Sequence, residues 1–172
     1  MAESKRKLPV FKPTEDEDEE ARPPWQWAGF GTAAMFGIWL PLAYLAEALK
    51  ARALAASFGD SKTPEEIAAA YQSLDAWEVR RLKVVVLLSL IVPLASAAFG
   101  GGYLVGRWGK GAGPREAALA ALMTMLIAGG LTCAQAGATW QALIPLVVAV
   151  PLAAFGGAIG VRRRARVHGP NA

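Results

Sequence analysis

The sequence predicts an all-α polytopic membrane protein. Its architecture is a four-helix bundle of two tandem helical hairpins, with a short extramembrane amphipathic helix between spans 1 and 2. Hydrophobic residues make up 54% of the chain, above the about 45–50% that is usual in soluble domains. Charged residues are gathered in blocks, and four apolar runs of about twenty residues, the length that crosses a bilayer, lie between the blocks.

A duplicated motif closes the second and the fourth apolar runs. One copy spans residues 92–107 and the other residues 150–162; each contains VPLA, then FGG, then arginine. Glycines followed by basic residues at the end of an apolar run are typical of the point where a membrane helix reaches the headgroup region. The repetition predicts that both helices leave the membrane on the same side.

The order of blocks and runs divides the chain into three parts. Residues 1–24 are rich in charge and end in prolines, so they cannot bury a core and are predicted to be a disordered tail. A membrane domain follows at 25–161, and a basic tail occupies 162–172. The predicted spans cover about 25–45, 82–105, 117–136 and 142–161.

The loop at 60–80 carries clear helix signals. The first span is expected to continue as an amphipathic helix to Phe58 and to stop at Gly59. The sequences TPEE at 63–66 and DAWE at 75–78 are capping boxes, each of which begins a helix. We interpret the short helix between them as an interfacial element that covers the ends of spans 1 and 2. The alternative is a cap that binds a ligand or a partner.

Small residues and prolines recur within the apolar runs. Small residues four apart let helix backbones approach closely, and prolines kink a helix. The candidates for packing or kinking are Gly29, Ala33, Gly37, Pro93, Gly102, Gly106, Pro151, Gly156 and Gly157. Pro93 and Pro151 hold matching places in the repeat, and broken helices at matched places can also mark a transporter site.

The distribution of basic residues predicts the orientation. The two tails and the 107–116 connector, which share one side of a four-span protein, hold twelve Lys and Arg, against six on the other side. The positive-inside rule therefore places both termini in the cytoplasm. The basic residues beside the spans are expected to contact lipid headgroups rather than nucleic acid: Arg107, Lys110, Arg162, Arg163 and Arg164.

The spans lack the residues that membrane chemistry uses. No Asp, Glu, Lys, Arg or His lies between the interfaces, although proton relays and ion-coupled transporters depend on such groups. Cys133 and His168 stand on different segments, so no metal, cofactor or catalytic residue is predicted. The remaining hydroxyls and amides are expected to bond to backbone, and the alternative is that Thr132 and Gln135 form the polar lining of a narrow pathway.

The exit of the second span offers one resemblance. Residues 101–107 read Gly-Gly-x-x-x-Gly-Arg, and Gly-Pro and a new helix follow. This pattern resembles one in small uncharacterised four-helix bacterial inner-membrane proteins, over roughly residues 92–130. The resemblance implies a location in a bacterial inner membrane and brings no activity.

Three hypotheses for the function follow. The first is a non-enzymatic integral membrane protein, structural or accessory to a membrane complex, whose partners are the lipid bilayer and either copies of itself or the subunits of that complex. The second is a small oligomeric channel or transporter, and the third a membrane enzyme. No small-molecule substrate is identifiable from the residues.

Overall fold

The computed structural model describes residues 23–59, 63–136 and 144–168. These ranges form five α-helices and no strand, which confirms the all-α prediction. The helices are α1 (Pro24–Phe58), α2 (Pro64–Ser73), α3 (Ala76–Trp108), α4 (Pro114–Ala136) and α5 (Ile144–His168). Of the predicted disordered tail 1–24, residues 1–22 lie outside the described residues, whereas Pro23 and Pro24 form the N-cap and the first residue of α1. The last four residues of the basic tail also lie outside the described residues. Residues 162–168 of that tail continue helix α5.

The four long helices pack in a ring. Helix α1 packs against α3, α3 against α5, α5 against α4, and α4 against α1. Neighbouring positions show the directions: Gly102 and Gly106 of α3 meet Ala153 and Gly157 of α5 in the same order, so these two helices are parallel. Helices α1 and α3 run in opposite directions. The bundle therefore consists of two antiparallel hairpins, α1–α3 and α4–α5, lying side by side.

The helix ends agree with the predicted capping signals. Gly59 ends α1 at a positive φ of 60°, which glycine adopts without strain because it has no Cβ. The Thr63 hydroxyl accepts the Glu66 N–H at 3.2 Å, and the Asp75 carboxylate accepts the Glu78 N–H at 2.7 Å. Both capping boxes are complete, because each glutamate also accepts the N–H of its cap residue.

Helix α2 differs in its placement from the predicted cap. Its apolar residues Ile67 and Tyr71 are 41% and 43% exposed, so they are not buried on the ends of α1 and α3. An amphipathic helix with such a face is suited to lie on a bilayer surface. That surface location remains a prediction.

Three helices of the described residues are long and apolar enough to cross a membrane, instead of the four predicted. They are Trp25–Phe58, Ala76–Trp108 and Pro145–Arg166. Helix α4, whose first turn carries Arg115 and Glu116, is not among them. The spans of α1 and α3 also lie within longer helices of 35 and 33 residues. At 1.5 Å per residue these helices measure about 50 Å, more than the about 30 Å of hydrocarbon.

The interior of the bundle is made of small residues. Most buried apolar side chains are alanines, and the largest fully buried ones are Met35 and Val105. Large side chains face outward instead, among them Leu90 at 62% exposed, Leu126 at 63% and Val147 at 70%. This distribution is the reverse of a soluble core and is typical of membrane helices, which associate through small residues while lipid covers the large ones.

Candidate functional site

The two repeated exits pack directly on each other at the α3–α5 crossing. A Cβ added at Gly102 would lie 2.8 Å from the Ala153 carbonyl carbon, and one at Gly106 would lie 2.9 Å from the Gly157 carbonyl carbon. From the other side, a Cβ at Gly156 would lie 3.0 Å from the Tyr103 nitrogen. Since these neighbours are backbone atoms, no side-chain rotation can make room for even a methyl group.

The predicted stripe on α1 faces away from the bundle. Gly29, Ala33 and Gly37 are exposed, and a Cβ added at Gly29 or Gly37 would meet nothing within 4 Å. The face of α1 that packs contains Gly31 and Met35 instead, and a Cβ on Gly31 would lie 2.6 Å from the Val105 side chain. The stripe is therefore free of neighbours from the described part of the chain.

The paired prolines match in sequence but not in burial. Pro93 is buried in α3, whereas Pro151 is exposed on α5. Contacts across the crossing join residues that are 51 to 57 positions apart, from Gly102–Ala153 to Gly160–Tyr103, and the prolines are 58 apart. Because Pro151 is exposed where Pro93 is buried, the two kinks do not line one enclosed site, and this geometry disfavours a transporter site built from both prolines.

Two buried threonines are bonded to the backbone. The Thr32 hydroxyl contacts the Ala28 carbonyl at 2.9 Å and, across to α4, the Ala120 carbonyl at 3.1 Å. The Thr124 hydroxyl donates to that same Ala120 carbonyl at 2.8 Å. Thr132 lies in α4 as predicted, as does Gln135, but the side chains of both are outside the described part of the structure. Their polar lining therefore remains a prediction.

The basic residues at the exits differ in their surroundings. Arg164 points back into the protein, where its guanidinium donates to the Gly109 carbonyl and, at 3.5 Å, to the Ala112 carbonyl. This contact neutralises the open carbonyl end of α3, as a cation at a helix C-terminus does. Arg162 and Lys110 are exposed.

Arg107 and Arg163 lie at a cavity, together with two residues that were not predicted from the sequence. With Tyr103 and Arg166 they line an open cavity of about 320 Å³ between the ends of α3 and α5. The signal was present in the spacing, because Tyr103 and Arg107 are four apart, and Arg163 and Arg166 three apart, so each pair shares one helix face. What spacing alone could not show is that the two faces meet.

The connector from α3 to α4 is held in place by local bonds. Gly111 adopts a positive φ of 78°, and the Gly113 N–H donates to the Glu116 carboxylate at 2.7 Å. Trp27 packs beside this turn against Val105 and its neighbours, and its buried indole N–H has no hydrogen-bond partner among the described residues.

A second cavity lies between α1 and α3 at the far end of the bundle. It measures about 390 Å³ and is almost entirely apolar; its lining includes Leu45, Leu49, Val85, Leu88 and Pro93. Lys50 stands at this cavity and forms an ion pair with Glu47.

Among the described residues, no group of three or more His, Cys, Asp or Glu side chains could hold a metal ion. Cys133 is half-buried with a free thiol. In comparisons with protein-family models, curated proteins and solved structures, none matches the chain. The function is therefore argued from the geometry above.

Proposed function

We propose that this chain is a non-enzymatic integral membrane protein of a bacterial inner membrane, structural or accessory to a membrane complex. In this proposal it crosses the bilayer four times and both termini lie in the cytoplasm. Three helices already have the length and composition of spans.

The fourth crossing is supported by the packing of α4. This helix has 23 residues, about 35 Å, which is enough for the hydrocarbon layer. Its bonds from Thr32 to Ala120 and from Thr124 to the Met35 sulfur set it parallel to α1 and level with it. Residues 117–136 of α4 thereby share the depth of residues 28–48 of α1, which lie within a candidate span. A helix at that depth, packed on membrane helices, has lipid on its other side.

The packing of the interior carries the functional part of the proposal. At the α3–α5 crossing, backbone meets backbone, and the buried polar side chains of the described residues are Thr32 and Thr124, both bonded to carbonyl groups. This interior leaves the described bundle without an ionisable group to bind a solute or move a proton. A compact scaffold fits such an interior better than a pathway through a single chain does.

Purification from native membranes in mild detergent tests the accessory role. We expect the protein to elute with a stable partner, whose helix approaches α1 along Gly29, Ala33 and Gly37. Gly37→Ile is expected to release that partner without unfolding the bundle, since the position is open. Gly129→Ile on α4 is the matched control, because that glycine also has nothing within 4 Å. Elution of the wild type alone, as a single chain, would contradict the proposal.

The twelve basic residues on the side of the termini, against six opposite, support the cytoplasmic location of both ends. A reporter fused to the C-terminus that is active only after export is expected to stay inactive. An active reporter would reverse the orientation.

One observation favours the second candidate, a small oligomeric channel or transporter. The apolar cavity between α1 and α3 leaves the buried Pro93 accessible from one side. Liposomes containing the protein, tested for ion and solute flux, distinguish the two functions. Flux that Pro93→Ala changes would favour the channel, and absence of flux would favour the scaffold.

A further inference from the structure

The cavity between the ends of α3 and α5 concentrates positive charge in one place. Of its four lining residues, three are arginines, Arg107, Arg163 and Arg166, and the fourth is Tyr103. The ion pair found in the described part of the chain, Lys50–Glu47, lies at the other end of α1 and α3. Among the described residues, none of the three arginines forms an ion pair with a carboxylate, and a cavity lined by three cations suits a bound anion.

Glycine packing explains why these like charges come so close. A Cβ added at Gly160 would lie 2.7 Å from the backbone nitrogen of Arg107 and 2.9 Å from the carbonyl carbon of Gly106. With no side chain between them, the two helix ends bring Arg107 beside Arg163. Like charges that share one cavity repel each other, and a bound anion offsets that repulsion.

The groove that leads to the cavity is apolar and aromatic. One turn before Tyr103, Phe99 of α3 packs against Phe155 of α5 with ring centroids 6.2 Å apart. Both rings face outward, at 37% and 59% exposed. From the membrane toward the exit, the groove therefore presents phenyl rings, then a phenol, then guanidinium groups. This order matches a phospholipid, with acyl chain, glycerol and phosphate in turn.

We propose that this cavity binds the headgroup phosphate of one anionic phospholipid, whose acyl chain lies along Phe99 and Phe155. Guanidinium groups bind phosphate through paired hydrogen bonds that an ammonium group cannot reproduce, and the Tyr103 hydroxyl adds a donor. Basic pockets between membrane helices hold such headgroups. The inference rests on the proposed insertion in a membrane. It goes beyond that proposal, because basic residues that only set the topology do not need to share one cavity.

Native mass spectrometry of the full-length protein in detergent micelles tests the proposal, with phosphatidylglycerol and phosphatidylcholine as probes. We expect one phosphatidylglycerol per chain to remain bound after phosphatidylcholine has dissociated. Arg163→Lys and Arg166→Lys keep the charge and the topology but lose the paired hydrogen bonds, so each is expected to weaken phosphatidylglycerol binding about tenfold. Arg162→Lys, at an exposed neighbour outside the cavity, is the matched control and is expected to leave binding unchanged.

Three results would overturn the proposal. The first is equal retention of the two lipids. The second is an equal loss of binding in Arg162→Lys and in the cavity variants. The third is saturable binding of inorganic phosphate that excludes phosphatidylglycerol, which would identify a soluble anion as the ligand. Phe155→Ala adds an independent check, because it removes acyl-chain contacts and is expected to weaken the lipid but not inorganic phosphate. Failure of the protein to enter micelles as a folded helical species would instead count against the proposed membrane insertion.

Discussion

Replacing Gly106 by alanine is expected to force α3 and α5 apart. The added methyl group would overlap the Gly157 carbonyl oxygen and lie 2.9 Å from its carbon. Carbon atoms pack best at about 3.5–4.0 Å, so the helices must separate by about 1 Å at this point. Both partners are backbone atoms of long helices, and neither can turn aside.

The energetic consequence follows from that separation. A gap of about 0.5–1 Å removes a quarter to a half of the dispersion energy of the atoms that it separates. Several contacts would be affected, because the crossing includes Gly102 and Gly106 of α3 and Gly156 and Gly160 of α5. We expect Gly106→Ala to lower the free energy of unfolding by about 1–3 kcal/mol, the usual cost of an extra methyl group in a packed interior. Gly37→Ala meets nothing within 4 Å and is expected to be neutral, or stabilising by up to about 1 kcal/mol through helix propensity.

Titration of the micelle-bound protein with sodium dodecyl sulfate, followed by far-ultraviolet circular dichroism, measures both free energies. The difference in sign between the two variants is the result to look for. If Gly106→Ala is as stable as the wild type, or if the two variants lose equal stability, the backbone contact at the crossing does not exist as described.

Three further predictions concern single hydrogen bonds. Thr32→Val removes the donor that reaches the Ala28 carbonyl within α1 and the Ala120 carbonyl on α4 and is expected to cost about 0.5–1.5 kcal/mol in the same titration. Thr124→Val should cost less, because its bond across to α1 goes to the Met35 sulfur at 3.6 Å, a weak acceptor, and equal losses would refute this. Asp75→Ala removes the cap of α3, so we expect the free energy of unfolding to fall by about 1 kcal/mol. Hydrogen exchange should become faster at the Glu78 amide and stay unchanged at the Glu66 amide. Unchanged exchange at Glu78 would count against the cap. Arg164→Gln removes the guanidinium that donates to the Gly109 and Ala112 carbonyls. It is expected to loosen this turn and speed exchange at the Ala112 amide, which bonds to the same Gly109 carbonyl, and at the Gly113 amide, whereas Arg162→Gln does not. The same effect from both variants would show that the cap depends on charge alone.

Helix ends were largely predictable because their signals are local. The glycine stop at 59, the two capping boxes and the proline start of α4 depend on residues within one turn, and each lies where the sequence indicated. The predicted fourth span ends at 161, and the helix itself continues beyond that residue. Arginine is a good helix former and a cation is favourable in the last turn of a helix, so the basic segment continues the helix to His168.

The packing face of α1 could not be read from the sequence. Small residues recur every four positions at Gly29, Ala33 and Gly37, but the face that packs contains Gly31 and Met35. In a soluble helix the apolar side marks the core, whereas in a membrane lipid is as apolar as the protein interior, so both faces of α1 carry similar residues. On α3 and α5 the predicted glycines lie at the crossing.

The cavity at the exits could not be predicted from the sequence for a related reason. Sequence spacing places Tyr103 with Arg107 and Arg163 with Arg166, each pair on its own helix. Their meeting depends on the packing of α3 against α5 through the glycines of the crossing, which the spacing within a single helix does not show.

Cysteine accessibility in sealed vesicles of both orientations tests the four-span bundle most directly. In a Cys133→Ala background, Gln72→Cys, Lys110→Cys and Arg166→Cys report on α2, on the connector and on the end of α5. A membrane-impermeant maleimide is expected to label position 72 only from the outside, and positions 110 and 166 only from the cytoplasmic side. Labelling of positions 110 and 166 from opposite sides would mean that α4 does not cross, and would contradict the arrangement of two side-by-side hairpins.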